Sequence, residues 1–166
     1  MTFQPVELSR VERAWADRAM PGYVLDRMRF EALPPLTWGT FNGPAWGSAS
    51  SVDVWLSTKL LSVPEPEKRC GYVRKVLAHE LAHTLTPEAL PKHGPTFLAL
   101  FCVLLARLNG TFKAVGEWLE EYDYQDTGPD DYKKAIRFSL EHWDGPWSAL
   151  QVAHEALKAT TNMLAA

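Results

Sequence analysis

The segment VLAHELAHTL, residues 76–85, restricts what this chain can fold into more than any other. Apolar Val73, Leu77, Leu81 and Leu85 recur every four residues, which predicts a helix with one face buried. The helix is expected from about Glu65 to Leu85, with prolines at positions 64 and 66 suiting its first turn. On the same helix His79 and His83 lie four apart, so their rings leave one face about one turn apart. Glu80 follows His79 by about 100° of rotation and stays on the same half of the surface. One side of this helix is built for packing and the other carries three reactive groups.

Two imidazoles at this spacing can bind a single Zn²⁺ at about 2.0–2.1 Å, with Glu80 placed to reach a water on the metal as a general base. Random order of this composition yields HExxH in about one shuffled chain in a hundred, so the helical register and apolar back face carry the weight. A catalytic zinc takes three protein ligands, and His93 is the best third. Pro87 and Pro91 force the chain out of the helix, and the reversal can return His93 over the metal before Gly94-Pro95 opens the next helix. The metzincin pattern would need glycine at position 86 and histidine at position 89; Thr86 and Ala89 exclude it. Glu117, Glu120 and Glu121 are downstream alternatives, Glu88 is too close to fold back, and His154 reads as a packed or surface residue.

The flanking sequence predicts an α+β order. Ser9 with Glu12 forms a capping box before a helix that ends at Pro21-Gly22, and Tyr23–Leu33 reads as a short helix. LTWGTF and SVDVWLS read as strands joined by Asn42-Gly43-Pro44. In the second, Val52, Val54 and Leu56 face one way and Ser51, Asp53 and Trp55 the other, as in a half-buried antiparallel strand. PTFLALFCVLLARLN is a buried helix closed by Gly110. Two amphipathic helices follow, one carrying Tyr132, Ile136, Leu140 and Trp143, the other starting near Pro146 with Trp147, Leu150 and Leu157.

A net charge of -3 gives no general pull toward nucleic acid or anionic lipid, and residues 117–131 hold seven acidic side chains and no basic one. The longest apolar stretch, Phe97–Ala106, is too short for a membrane span, and the first ten residues do not resemble a secretory signal. Two cysteines, Cys70 and Cys102, fit a reducing, cytoplasmic setting.

HELAH followed after nine residues by HGPTF resembles the SprT-like and WLM-type zinc metallopeptidases, and is closer still to small metallohydrolases of actinobacteria and their phages. The resemblance covers roughly residues 48–106. It implies a minimal zincin-like α+β fold with a small antiparallel sheet, residues 1–115 forming the peptidase domain and 116–166 a helical extension packed on it. It implies zinc on His79, His83 and His93, Glu80 as the base, and a protein or peptide substrate bound by β-addition to the strand Ser51–Leu56. SprT-like enzymes that act on DNA-bound proteins commonly carry a cysteine-rich zinc module or basic segments, which this sequence lacks. Tyr122, Tyr124, Tyr132 and His142 are candidates for stabilising an oxyanion. The rival readings are a non-catalytic, metal-stabilised binding or virion-associated protein, and a regulatory protease that cleaves a single partner.

Overall fold

The computed structural model describes residues 2–20, 34–119 and 128–161. Its strands are β1 (Phe3–Pro5), β2 (Leu36–Phe41), β3 (Gly47–Ala49) and β4 (Val54–Ser57). Its α-helices are α1 (Arg10–Ala19), α2 (Pro66–Leu85), α3 (Pro95–Asn109), α4 (Lys113–Leu119), α5 (Pro129–His142) and α6 (Ala149–Thr160). A 3₁₀ turn at Thr58–Ser62 links the sheet to α2. The fold is α+β, as the sequence implies. The expected helix at Tyr23–Leu33 lies outside the described residues.

Helix α3 is the centre of the packing. Every residue from Thr96 to Leu108 is buried, and a helix apolar on all sides is stable only when enclosed. Helix α2 lies along one side of it, and α5 and α6 pack on others. Its ends follow from the sequence: Pro95 occupies the first turn, and Gly110 stops the helix in the left-handed conformation at φ 71°. Polar ties hold the surrounding helices in place. Arg107 Nε donates to the Trp143 carbonyl at 2.7 Å, the Thr96 and Thr160 hydroxyls bond at 2.7 Å, and Arg74 Nε donates to the Ala19 carbonyl at 2.8 Å.

The sheet differs from the expected small antiparallel one. Its order is β1-β2-β4-β3, and although β1 pairs antiparallel with β2 and β3 with β4, β2 and β4 run parallel, Leu36 opposite Val54 and Gly39 opposite Ser57. The Asn42-Gly43-Pro44 turn does not join the two long runs directly. A third strand, β3, intervenes, and two reversals restore the original direction, which slots β4 between β2 and β3. The run at Ser51–Leu56 is therefore not the edge. Ser50–Asp53 form the hairpin turn, with Ser50 Oγ accepting from the Val52 and Asp53 N–H groups, so Val52 stands 63% exposed while Val54 and Leu56 are buried.

The last two helices also expose residues that the periodicity assigns to their packed faces. Leu140 and Leu150 are 56% and 49% exposed, and the contacts are made by Ala135, Phe138, Val152 and Ala156. Helix α6 starts at a capping box of Ser148 and Gln151, two residues past the expected Pro146. Among the described residues no helix is long and apolar enough to cross a membrane.

Because α3 has no exposed face, Leu104→Ala is expected to leave a cavity that the surroundings cannot fill. Chemical denaturation should show a loss of about 2–5 kcal/mol; a loss well under 1 kcal/mol would contradict the enclosed packing.

Candidate metal centre

His79 and His83 project from the last two turns of α2, on the side away from buried Val73, Leu77 and Leu81. Thr86 ends the helix: its N–H and hydroxyl both bond the Ala82 carbonyl, the latter at 2.7 Å. Two tight turns then bend residues 87–94 back, through Leu90 N–H to the Pro87 carbonyl and Gly94 N–H to the Pro91 carbonyl. The reversal delivers His93 to the other two histidines.

The Nε2 atoms of His79 and His83 lie 3.1 Å apart, and those of His83 and His93 lie 3.2 Å apart. Among the described residues these three form the group of side chains that can hold a metal ion. Around a tetrahedral ion with bonds of about 2.0–2.1 Å, neighbouring donor nitrogens sit about 3.3 Å from one another. The observed separations fit that geometry. A single proton can bridge only one pair of ring nitrogens at a time, so the crowding of three acceptors is best relieved by a shared cation. Phe97 fixes the ring orientations from below. It is fully buried in the first turn of α3, and its centroid lies 4.5 Å from His83 and 5.0 Å from both His79 and His93.

The surroundings keep His79 and His83 neutral. Burial first, and then the neighbouring imidazoles and Lys75, lower the His79 pKa to about 3. Burial, His93 and Lys92 lower that of His83 to about 4. Metal binding requires unprotonated imidazole, so protons compete weakly here. Glu80 is buried beside them, and burial raises its pKa to about 7.

The three histidines and Glu80 line one open cleft of about 610 Å³, walled on one side by Gly47–Ser51 and on the other by residues of the 86–93 turn. That volume suits a small molecule or a few residues of peptide. Strand β3 is held to α2 by Thr84, whose hydroxyl donates to the Ser50 carbonyl at 3.1 Å. Gly47 allows the approach: a Cβ there would stand 2.7 Å from Val76 Cγ1 and 3.0 Å from Glu80 Cγ.

Of the other residues singled out in the sequence, Glu88 lines the cleft without joining the histidine group. Glu117 is exposed on α4 and His154 on α6. His142 stacks on Trp147 with centroids 4.7 Å apart and lines a separate groove between α5 and α6. Glu120, Glu121, Tyr122 and Tyr124 lie outside the described residues. The sequence reading missed β3 as a wall of the site, because GSA carries no strand signal, and it assigned Phe97 to the core alone. No protein-family model, curated protein or solved structure matches the chain.

The purified protein is expected to bind one divalent ion per chain, and His93→Ala to weaken binding by more than about 100-fold, beyond the usual effect of losing an outer-shell partner. Metal titration checks this, and unchanged affinity in the variant would place the third donor elsewhere.

Once a chelator has removed metal, the pKa shifts predict a pH dependence. His79 and His83 have folded pKa values below 6.5, so their contribution to stability is complete above pH 6.5 and is lost as pH falls through about 4 and 3. Glu80 acts in the opposite sense: its contribution is complete below pH 4.5 and is lost as pH rises through about 7. The two oppose each other between pH 4.5 and 6.5. Glu80→Gln removes one side, so the melting temperature of the metal-free variant should fall more steeply on acidification across that window than that of the wild type. Equal slopes would contradict the burial of Glu80.

Proposed function

We propose that this chain is a zinc-dependent metallohydrolase of the zincin type that hydrolyses peptide bonds. The observation that carries the reading is the convergence of three imidazole nitrogens beside a buried carboxylate in an open cleft. His79, His83 and His93 would hold the ion through Nε2. Bound there, zinc would supply Lewis acidity and lower the pKa of a coordinated water. All three proposed ligands are neutral side chains and among the described residues no carboxylate joins them, so they would leave the ion's positive charge undiminished. The likeness of residues 48–106 to SprT-like and WLM-type enzymes supports the same assignment.

Glu80 would accept a proton from the attacking water on a carboxylate oxygen and return it to the leaving nitrogen. Burial raises the Glu80 pKa to about 7 in the metal-free protein, and a cation held by the histidines would draw it back toward the carboxylate form that can take up the proton. Its proximity to β3 brings that proton transfer next to an extended strand edge.

A peptide is favoured as substrate by the wall that β3 offers. Trp46 O accepts from Ser57 N–H and Ser50 N–H donates to Asp53 O, so Trp46, Ser48 and Ser50 turn their backbone groups toward β4. Gly47 and Ala49 alternate with them and direct their N–H and C=O groups to the side away from β4. Among the described residues no strand pairs with that side. An extended substrate backbone can supply the missing partners. The role expected for Ser51–Leu56 passes to β3, because β4 already has a neighbour on each side.

Zinc-loaded wild type and Glu80→Gln, incubated with a mixed peptide library and read by mass spectrometry, test this. New termini should appear with the wild type. The variant should keep its zinc and cut at least about 100-fold more slowly, the lower bound for removing a general base. Full activity in Glu80→Gln would refute the mechanism. Bound zinc with no cleavage by the wild type would favour a metal-stabilised binding module.

A further inference from the structure

We infer that Trp46 and Tyr72 form a substrate subsite for a bulky apolar side chain, three to four residues along the peptide from the bond that is cut. The inference rests on the peptidase reading and adds a specificity to it.

Among the described residues Trp46 and Tyr72 are the two large aromatic side chains left exposed, at 44% and 38%. They are stacked on one another, with centroids 6.4 Å apart and ring planes at 27°. Tyr72 also packs on Trp118 at 5.4 Å, and Lys75 Nζ sits 4.3 Å from the Trp118 ring. The result is a rigid aromatic shelf whose rings are held by each other, so a ligand side chain would find it already formed.

The shelf adjoins the cleft through Gly47, which lines the cleft and directly follows Trp46. Tyr72, Val76 and Glu80 occupy successive turns of one stripe of α2. Strand β3 follows that stripe: Trp46 lies on Tyr72, Gly47 stands over Val76 and Glu80, and Ser50 is bonded to Thr84. A peptide laid along the outer side of β3 therefore passes Glu80 and, at one end, reaches the shelf. Eight helical residues separate Tyr72 from Glu80, a rise of about 12 Å. An extended peptide covers that distance in three to four residues at about 3.3 Å each.

The two ends of the path differ in chemistry. Beyond the histidines it is bordered by exposed Glu88 and Lys92, whereas the Trp46 end presents aromatic faces. Lys75 at that end disfavours a cationic side chain, which leaves leucine, methionine, phenylalanine and their like as the occupants.

The test uses the zinc-loaded full chain and peptides taken from its own cleavage sites. Pairs that differ only by leucine or serine, at each position two to five residues from the cut on either side, are compared by kcat/KM. One such position should favour leucine by about tenfold, the order expected for burying one apolar side chain. In the doubly substituted Trp46→Ser/Tyr72→Ala protein that ratio should fall close to one, and Trp46→Phe should keep most of it. Both substitutions are on the surface, and the Trp46 backbone bond to Ser57 does not depend on the side chain. The inference is overturned if no distant position prefers leucine, or if the preference survives in the double variant; hydrolysis itself would then stand. If the wild type cuts no peptide, the peptidase reading fails and the subsite falls with it.

Discussion

Thirteen consecutive residues of α3, Thr96 to Leu108, leave no face to water, and the other elements are arranged around that demand. Each large side chain buried there contributes roughly 1.5–3 kcal/mol, but only if helices cover it on all sides. Helix α2 supplies one of those covers. Its Val73, Leu77 and Leu81 go inward, which obliges His79 and His83 to stand at the cleft. Phe97 joins core to centre: the ring that begins the α3 packing is also the floor on which the three imidazoles rest. A fixed core and a fixed donor set are thus one property, and loosening the first turn of α3 would spread the histidines.

The same burial sets the electrostatics. Three imidazoles with converging nitrogens, two of them held neutral by burial, and a buried carboxyl whose charge burial disfavours form an unfavourable arrangement in a low-dielectric wall. A divalent cation reverses each of these costs, since it takes the three lone pairs and favours the charged form of Glu80. Binding to the folded state alone then adds to stability by mass action. An ion at this centre would therefore serve as part of the fold as well as of any reaction.

How much of this was legible beforehand depended on whether the signal was local. The two long helices, their proline starts, the Gly110 stop and the Ser9 capping box follow from neighbouring residues, and all were readable. So was the meeting of His93 with His79 and His83, because Pro87, Pro91 and Gly94 leave the chain few ways to continue. The sheet was not. Whether β4 pairs as edge or centre depends on β3, whose Gly47-Ser48-Ala49 has neither branched nor aromatic residues to announce it. The exposure of Leu140 and Leu150 was hidden for a related reason: small residues such as Ala135 and Ala156 make the close helix contacts, and hydrophobic periodicity favours the large ones.

The strand order decides which backbone borders the cleft. Had β4 been the edge, the cleft would be bordered by a strand bearing Trp55 and Asp53, and a backbone partner would pair with residues that are in fact satisfied by β3. The observed order brings forward a strand of small residues, and Gly47 explains why they must be small. A methyl group at that position would press on Val76 and on Glu80 Cγ, so either the strand would retreat from the helix or the carboxylate would swing away. The strand edge and the buried Glu80 carboxyl are thus held in register by the absence of a side chain. The parallel pairing of β2 and β4, which no local pattern predicts, is the topological price of placing that glycine beside Glu80.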